Sequence, residues 1–153
     1  MNTERQQFLI QSQLISDNQR LAFLPKHLNK EYLSFESMVY RTMGTICNSY
    51  NGGYWDFYEL SNHGFYMAPQ SDEPFHIFIH GNGYEGSVSC DAAGIIATTY
   101  ALNNLAWRTE SDEIIDKYYA LLDFARQHQE LNQSLQQLIK SVPTTKRLFV
   151  VGF

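Results

Sequence analysis

The chain is predicted to be an α+β protein, an antiparallel β-meander of three to four strands packed with four or five α-helices in a single domain over residues 1–153. Three observations carry this prediction. Residues 51–94 hold seven of the nine glycines. Within that block, aromatic and β-branched runs (YWDFYEL, GFYMA, FHIFIH) alternate with turn clusters (SNHG, PQSDEP, HGNG), as strands joined by short connections do. On either side, apolar residues recur at three and four, the period of an amphipathic helix.

Taken in order, residues 5–24 contain Ser16 followed by Gln19, a capping-box pattern ahead of Leu21, Phe23 and Leu24, and predict a short helix that Pro25 closes. From Ser34, a plausible N-cap, the residues Phe35, Met38, Val39, Met43, Ile46, Cys47 and Tyr50 form one apolar stripe, and Asn51-Gly52-Gly53 ends that helix. Strands are expected at 54–60, 65–69, 75–80 and 84–89. Gly81-Asn82-Gly83 joins the last two as a hairpin turn, and Pro69 and Pro74 mark strand ends. Ser89 caps a helix over 90–107 with Asp91 in its first turn, and Gly94 and Ala97 keep one side slim for close packing on the sheet. Thr109 and Asp112 form a further capping box before a helix through Ala125, and Leu131, Leu135, Leu138 and Ile139 suggest another before Pro143. The apolar end of the tail over 141–153 is expected to dock as an edge strand or under a helix.

A chain of 153 residues can bury a core without disulfides or a structural metal. MNTERQQFLIQS lacks the basic start and apolar run of a signal peptide, and no stretch reaches membrane-spanning length, so a cytoplasmic protein without a membrane partner is expected. In that compartment Cys47 and Cys90 are expected as free thiols. The net charge is −5, and no Lys or Arg occurs between Arg41 and Arg108. A surface that neutralises phosphates needs clustered cations, so strong DNA binding is not expected of the sheet region.

Two sets of residues resemble reactive sites. His76 and His80 share one face of a strand and, with His63 and Cys90, could be assembled into a metal site, but the spacing fits no zinc pattern. Cys90 at a helix start could act as a nucleophile with a histidine as base, although no motif accompanies it. The segment GNGYEG reads as a hairpin turn and not as a phosphate loop. No catalytic residue, metal or cofactor is therefore assigned.

RLAFLP followed by His27, then YNGGYWDFYELSNHGFYMAP, NGYEG and DAAGIIATTYALNNLA, resemble the successive blocks of the antirestriction family of plasmids and other mobile elements, the ArdB/KlcA group. The resemblance covers residues 20–125 and leaves 130–153 outside it. It implies a small α+β protein that relieves host type I restriction of incoming DNA, with no enzymatic activity or cofactor. Its implied partner is the type I restriction-modification machinery or an associated host protein.

Charge constrains the mode. DNA presents one negative charge per ~1.7 Å of duplex axis, and a compact domain of this length is on the order of 40 Å across. Imitating DNA over that span takes roughly twenty or more carboxylates. The chain has sixteen acidic residues interspersed with eleven basic ones, so bulk mimicry is not expected. A non-enzymatic inhibitor is the leading reading. A small enzyme using Cys90 or the histidines, and a nucleic-acid-binding module, are the alternatives.

The expected contact surface starts from the aromatics. One face of the strand over 54–60 carries Trp55 and Phe57 and the other Tyr54 and Tyr58, a division repeated by Phe65 and Tyr66. Either helices cover both faces or tyrosines face a partner, for which Tyr54, Tyr58 and Tyr66 are the candidates. The acidic run Glu110, Asp112, Glu113 and Asp116 is a second candidate contact, with dipole placement as its plainer explanation.

Overall fold

The computed structural model describes residues 9–80, 83–128 and 130–131. At its centre lies the strand β3 (Phe65–Pro69), every residue of which is buried. Its partner β2 (Trp55–Leu60) runs antiparallel to it, with Trp55 opposite Pro69, Phe57 opposite Met67 and Glu59 opposite Phe65. A short strand β1 (Ser12–Leu14) pairs on the far side of β2, Ser12 facing Leu60, which gives the order β1-β2-β3. The strands β4 (Phe75–Ile79) and β5 (Tyr84–Val88) form a separate antiparallel hairpin.

The expected single meander is therefore corrected to two sheets, and the cause is visible at the free edge of β3. The helix α3 (Cys90–Thr109) lies along that edge. The Thr98 hydroxyl accepts from the Met67 N–H at 3.2 Å and donates to the Met67 carbonyl at 3.3 Å, so these groups are satisfied without a further strand. Gly94 permits the approach: a Cβ there would sit 2.5 Å from Ala68 Cα and against the Met67 carbonyl. The close packing expected of Gly94 is what the structure shows.

Helices cover both faces of the three-stranded sheet. On the Trp55 and Phe57 face, Phe23 of α1 (Arg20–Leu28) stacks on Phe57 at 5.3 Å between ring centres, and Phe35 of α2 (Tyr32–Ile46) meets the Phe65 ring edge-on at 5.4 Å. On the other face, Tyr66 stacks between Tyr58 at 4.8 Å and Phe124 of α4 (Asp112–Gln127) at 5.7 Å. Fully burying such a ring contributes about 1.5–3 kcal/mol, which concentrates the stability of the fold around β3.

Several predicted boundaries change. Residues 12–14, expected within a helix, are the strand β1 because pairing with β2 outweighs local pattern. Ser16 turns its hydroxyl to Asn18 and Gln19 side chains and caps no backbone N–H. Pro25 lies inside α1, which instead stops at Asn29 with a positive φ of 53°. The next helix starts at Tyr32, ahead of Ser34, and ends at Ile46, where Cys47 turns extended. Gly52 and Gly53 do take positive φ, in the connection to β2. Thr109 bonds back to the Leu105 carbonyl and so prolongs α3, while Ser111 caps α4 by accepting from Ile114 N. Ser89 caps α3 as expected. The turn residues 81 and 82, the Gln-rich segment from 132 and the tail 141–153 lie outside the described residues. No described helix is long and apolar enough to cross a membrane.

Candidate functional site

Two polar knots sit on opposite faces of the sheet. The first joins β1, β3, α3 and the residues after α4. Because Ser89 caps α3, Asp91 falls in its first turn, where Oδ1 accepts from the Tyr66 hydroxyl at 2.6 Å and Oδ2 accepts from His128 Nε2 at 2.8 Å. The Ser12 hydroxyl lies 3.3 Å from that of Tyr66. His128 Nδ1 accepts from the Glu130 N–H at 3.2 Å, which leaves the imidazole proton on Nε2. The Glu130 carboxylate in turn accepts from the Ser89 N–H at 2.7 Å and the Ser89 hydroxyl at 2.6 Å. Burial works to raise the Asp91 pKa, but the bonds from His128 and Tyr66 outweigh it and hold the carboxyl below its ordinary range. Burial, together with the bond to Asp91, raises that of Tyr66.

The second knot joins α1 to β2. Glu59 Oε1 accepts from Lys26 Nζ and from His27 Nε2, each at 3.0 Å. His27 is buried, its ring 4.5 Å from that of Phe65. Burial lowers its pKa from 6.5 to about 4, against the raising effect of Glu59, so the ring is neutral at physiological pH. For Glu59 burial is again opposed, and outweighed, by the bonds from Lys26 and His27.

The residues weighed for metal or nucleophilic chemistry do not converge. His76 bonds Glu85 at 2.7 Å on the outside of the hairpin, and His80 packs its ring on Phe78. Cys90 donates its thiol to the Ser71 carbonyl at 3.4 Å. No group of three or more His, Cys, Asp or Glu side chains is placed to hold a metal among the described residues. Cys47 and Cys90 are both free thiols.

The residues considered for partner contact are also dispersed. Tyr66 is 2% exposed and its hydroxyl is occupied, so it belongs to the core; Tyr58 is half-buried beside it. Tyr54 is 50% exposed, and the Arg20 guanidinium lies over both its ring and that of Phe57, which sets it apart from Tyr58. Glu110, Asp112, Glu113 and Asp116 are all exposed. Glu110 caps α3 in the left-handed conformation, and Glu113 accepts from Asn29 Nδ2 at 3.3 Å. Asp112, Glu113 and Asp116 lie in the first turns of α4, about two to three turns from Phe124, which stacks on Tyr66.

Sequence reasoning missed the role of His128, because nothing local to it announces Asp91 as its partner. Asp91 itself was legible as a first-turn acid, but its bond to Tyr66 depends on α3 lying along β3.

Comparison with known proteins agrees with this architecture. A family model described as "Antirestriction protein" matches residues 48–139, which extends past residue 125, where the resemblance noted in the sequence stopped. Two proteins of Escherichia coli, each named antirestriction protein KlcA, are 44% identical over 123 residues (76% of this chain, 84% of the relative) and 41% identical over 135 residues (85% and 94%). A solved structure from work on the KlcA and ArdB proteins superposes with a TM-score of 0.78 at 39% identity, covering 85% of this chain and 94% of that one. Those proteins are described as showing a novel fold and antirestriction activity against Type I DNA restriction systems in vivo but not in vitro. With the family model covering more than half of the chain and these relatives most of it, the chain belongs to the antirestriction protein family.

Proposed function

We propose that this protein relieves type I restriction of incoming mobile-element DNA as a non-enzymatic inhibitor, acting on the restriction complex or on a host component that controls it. The observation that carries the reading is the spent state of the reactive groups around the start of α3. His128 has both ring nitrogens engaged, Asp91 both carboxylate oxygens, and Cys90 donates its proton to a backbone carbonyl, so none is poised as a free base or thiolate nucleophile. The host-component arm draws support from the relatives, whose activity is described in vivo but not in vitro: such activity fits a target or cofactor protein present in the cell.

The test is plating of unmodified phage on restricting cells that express the chain. Wild type, Cys90→Ser and His128→Gln are all expected to relieve restriction wherever they accumulate as folded protein. Loss of relief in a folded Cys90→Ser variant would replace this reading with an enzymatic one.

A further inference from the structure

We propose that the surface between α2 and the end of α3 is a binding seat for an acidic peptide segment of a partner protein, with Arg41 and Arg108 as its anion-binding pair. The starting point is an uneven use of cations. Among the described residues, Lys26 bonds Glu59, Arg126 bonds Asp123, Lys117 donates to the His63 carbonyl, and Arg20 lies over Tyr54 and Phe57. Lys30, Arg41 and Arg108 make no ion pair, side-chain hydrogen bond or ring contact to a described residue.

These three lie together. Arg41 and Arg108, which bound the long cation-free stretch of the sequence, line one depression of about 290 Å³ with Leu33, Ser34, Ser37 and Met38. No acidic residue among the described residues lines it. Arg108 continues into a neighbouring depression of about 520 Å³, which also takes in Lys30. In a chain of net charge −5, two guanidinium groups at one concavity with no partner among the described residues are an exception that a ligand carboxylate would neutralise through two-pronged hydrogen bonds. The Ser34 and Ser37 hydroxyls, which bond no other described residue, add donors.

The surroundings select a peptide over a nucleic acid. Leu33 is 61% exposed beside the two arginines and offers a contact for an aliphatic side chain next to the bound carboxylate. Among the described residues no Phe, Tyr or Trp lines either depression, so these residues offer none of the stacking platforms on which single-stranded bases are held. Glu31 and Glu113 line the neighbouring depression and would repel any extended polyanion, which confines the seat to a short acidic segment at Arg41 and Arg108. The seat does not depend on the mode of inhibition proposed above.

The experiment is fluorescence anisotropy of a labelled peptide of alternating glutamate and leucine, with an alternating lysine and leucine peptide as control and inorganic phosphate and a single-stranded oligonucleotide as competitors. Saturable binding of the acidic peptide alone is expected. It should weaken at least tenfold in the double variant Arg41→Gln with Arg108→Gln and severalfold in Arg41→Lys, which keeps the charge but loses the planar fork, with melting by circular dichroism reporting that each variant is folded. Equal affinity in the folded arginine variants, no binding to wild type, or displacement of the peptide by the oligonucleotide at lower concentration than by free acidic peptide would overturn the proposal.

Discussion

β3 and the β4–β5 hairpin are both antiparallel aromatic strands in the same glycine-rich block, yet their surroundings differ completely. Every side chain of β3 is buried, between α1 and α2 on one face, α4 on the other and α3 along its edge. Along β4 burial alternates: Ile77 and Ile79 face the core while His76 and Phe78 face solvent. Strand propensity is similar in the two regions, so what separates them is the number of sides on which helices approach. Stability should therefore be graded from β3 outward, with the hairpin opening locally before the sheet does.

The largest expected effect lies in β3. Phe65→Ala removes a ring that meets Phe23, His27 and Phe35 and should cost about 3–5 kcal/mol, whereas Phe78→Ser on the outside of the hairpin should stay within about 0.5 kcal/mol. Urea midpoints of the two variants measure the contrast directly; equal losses would erase it. Gly94→Ala is expected to cost on the order of 3 kcal/mol, because the added methyl meets the backbone of β3 and not a flexible side chain.

Next comes the pH dependence of the second polar knot. The unfolded chain takes up a proton on His27 at about 6.5 and the folded chain only at about 4. The stability linked to His27 is therefore complete above pH 6.5 and falls as pH drops toward 4, by at most about 1.4 kcal/mol per pH unit. Glu59 and Asp91, whose folded pKa values are lowered, carry the loss to more acid pH. Thermal melts between pH 7 and 4 should show this slope for the wild type and a shallower one for His27→Gln. A slope unchanged by that substitution would place the acid sensitivity elsewhere.

Smaller again is Tyr58→Ala, which loses the stacked contact with Tyr66 and is expected to cost on the order of 1 kcal/mol beyond the area exposed. The smallest effect on stability belongs to the acidic run. Reversal of Glu110 and Asp116 to lysine should shift stability by no more than about 1 kcal/mol. If the run contacts a partner, phage plating on cells expressing that variant will show restriction relief abolished; full relief would remove it as a contact surface.

The sequence revealed those parts of the molecule whose causes are local. The aromatic runs marked β2 to β5 nearly to the residue, Ser89 announced the start of α3, and Gly94 announced a close approach. β1 was illegible because Ser12, Gln13 and Leu14 have no strand pattern of their own and are extended through their pairing with β2. The division into two sheets was hidden for a related reason: it depends on which side chain of α3 meets the Met67 peptide group. The same holds for the polar knots and the arginine pair. The gap between Arg41 and Arg108 is plain in the sequence, but their meeting requires α2 and α3 to pack together.

Thr98 has one further consequence, for self-association. Proteins built on open sheets aggregate when a strand of one copy adds to an unpaired strand of another. With the hydroxyl of Thr98 occupying the hydrogen-bonding groups of Met67, growth of the three-stranded sheet by strand addition is blocked at β3. Thr98→Val would leave the Met67 peptide group without its partner beneath α3, and strand addition at β3 would then be opposed by the packing of α3 alone.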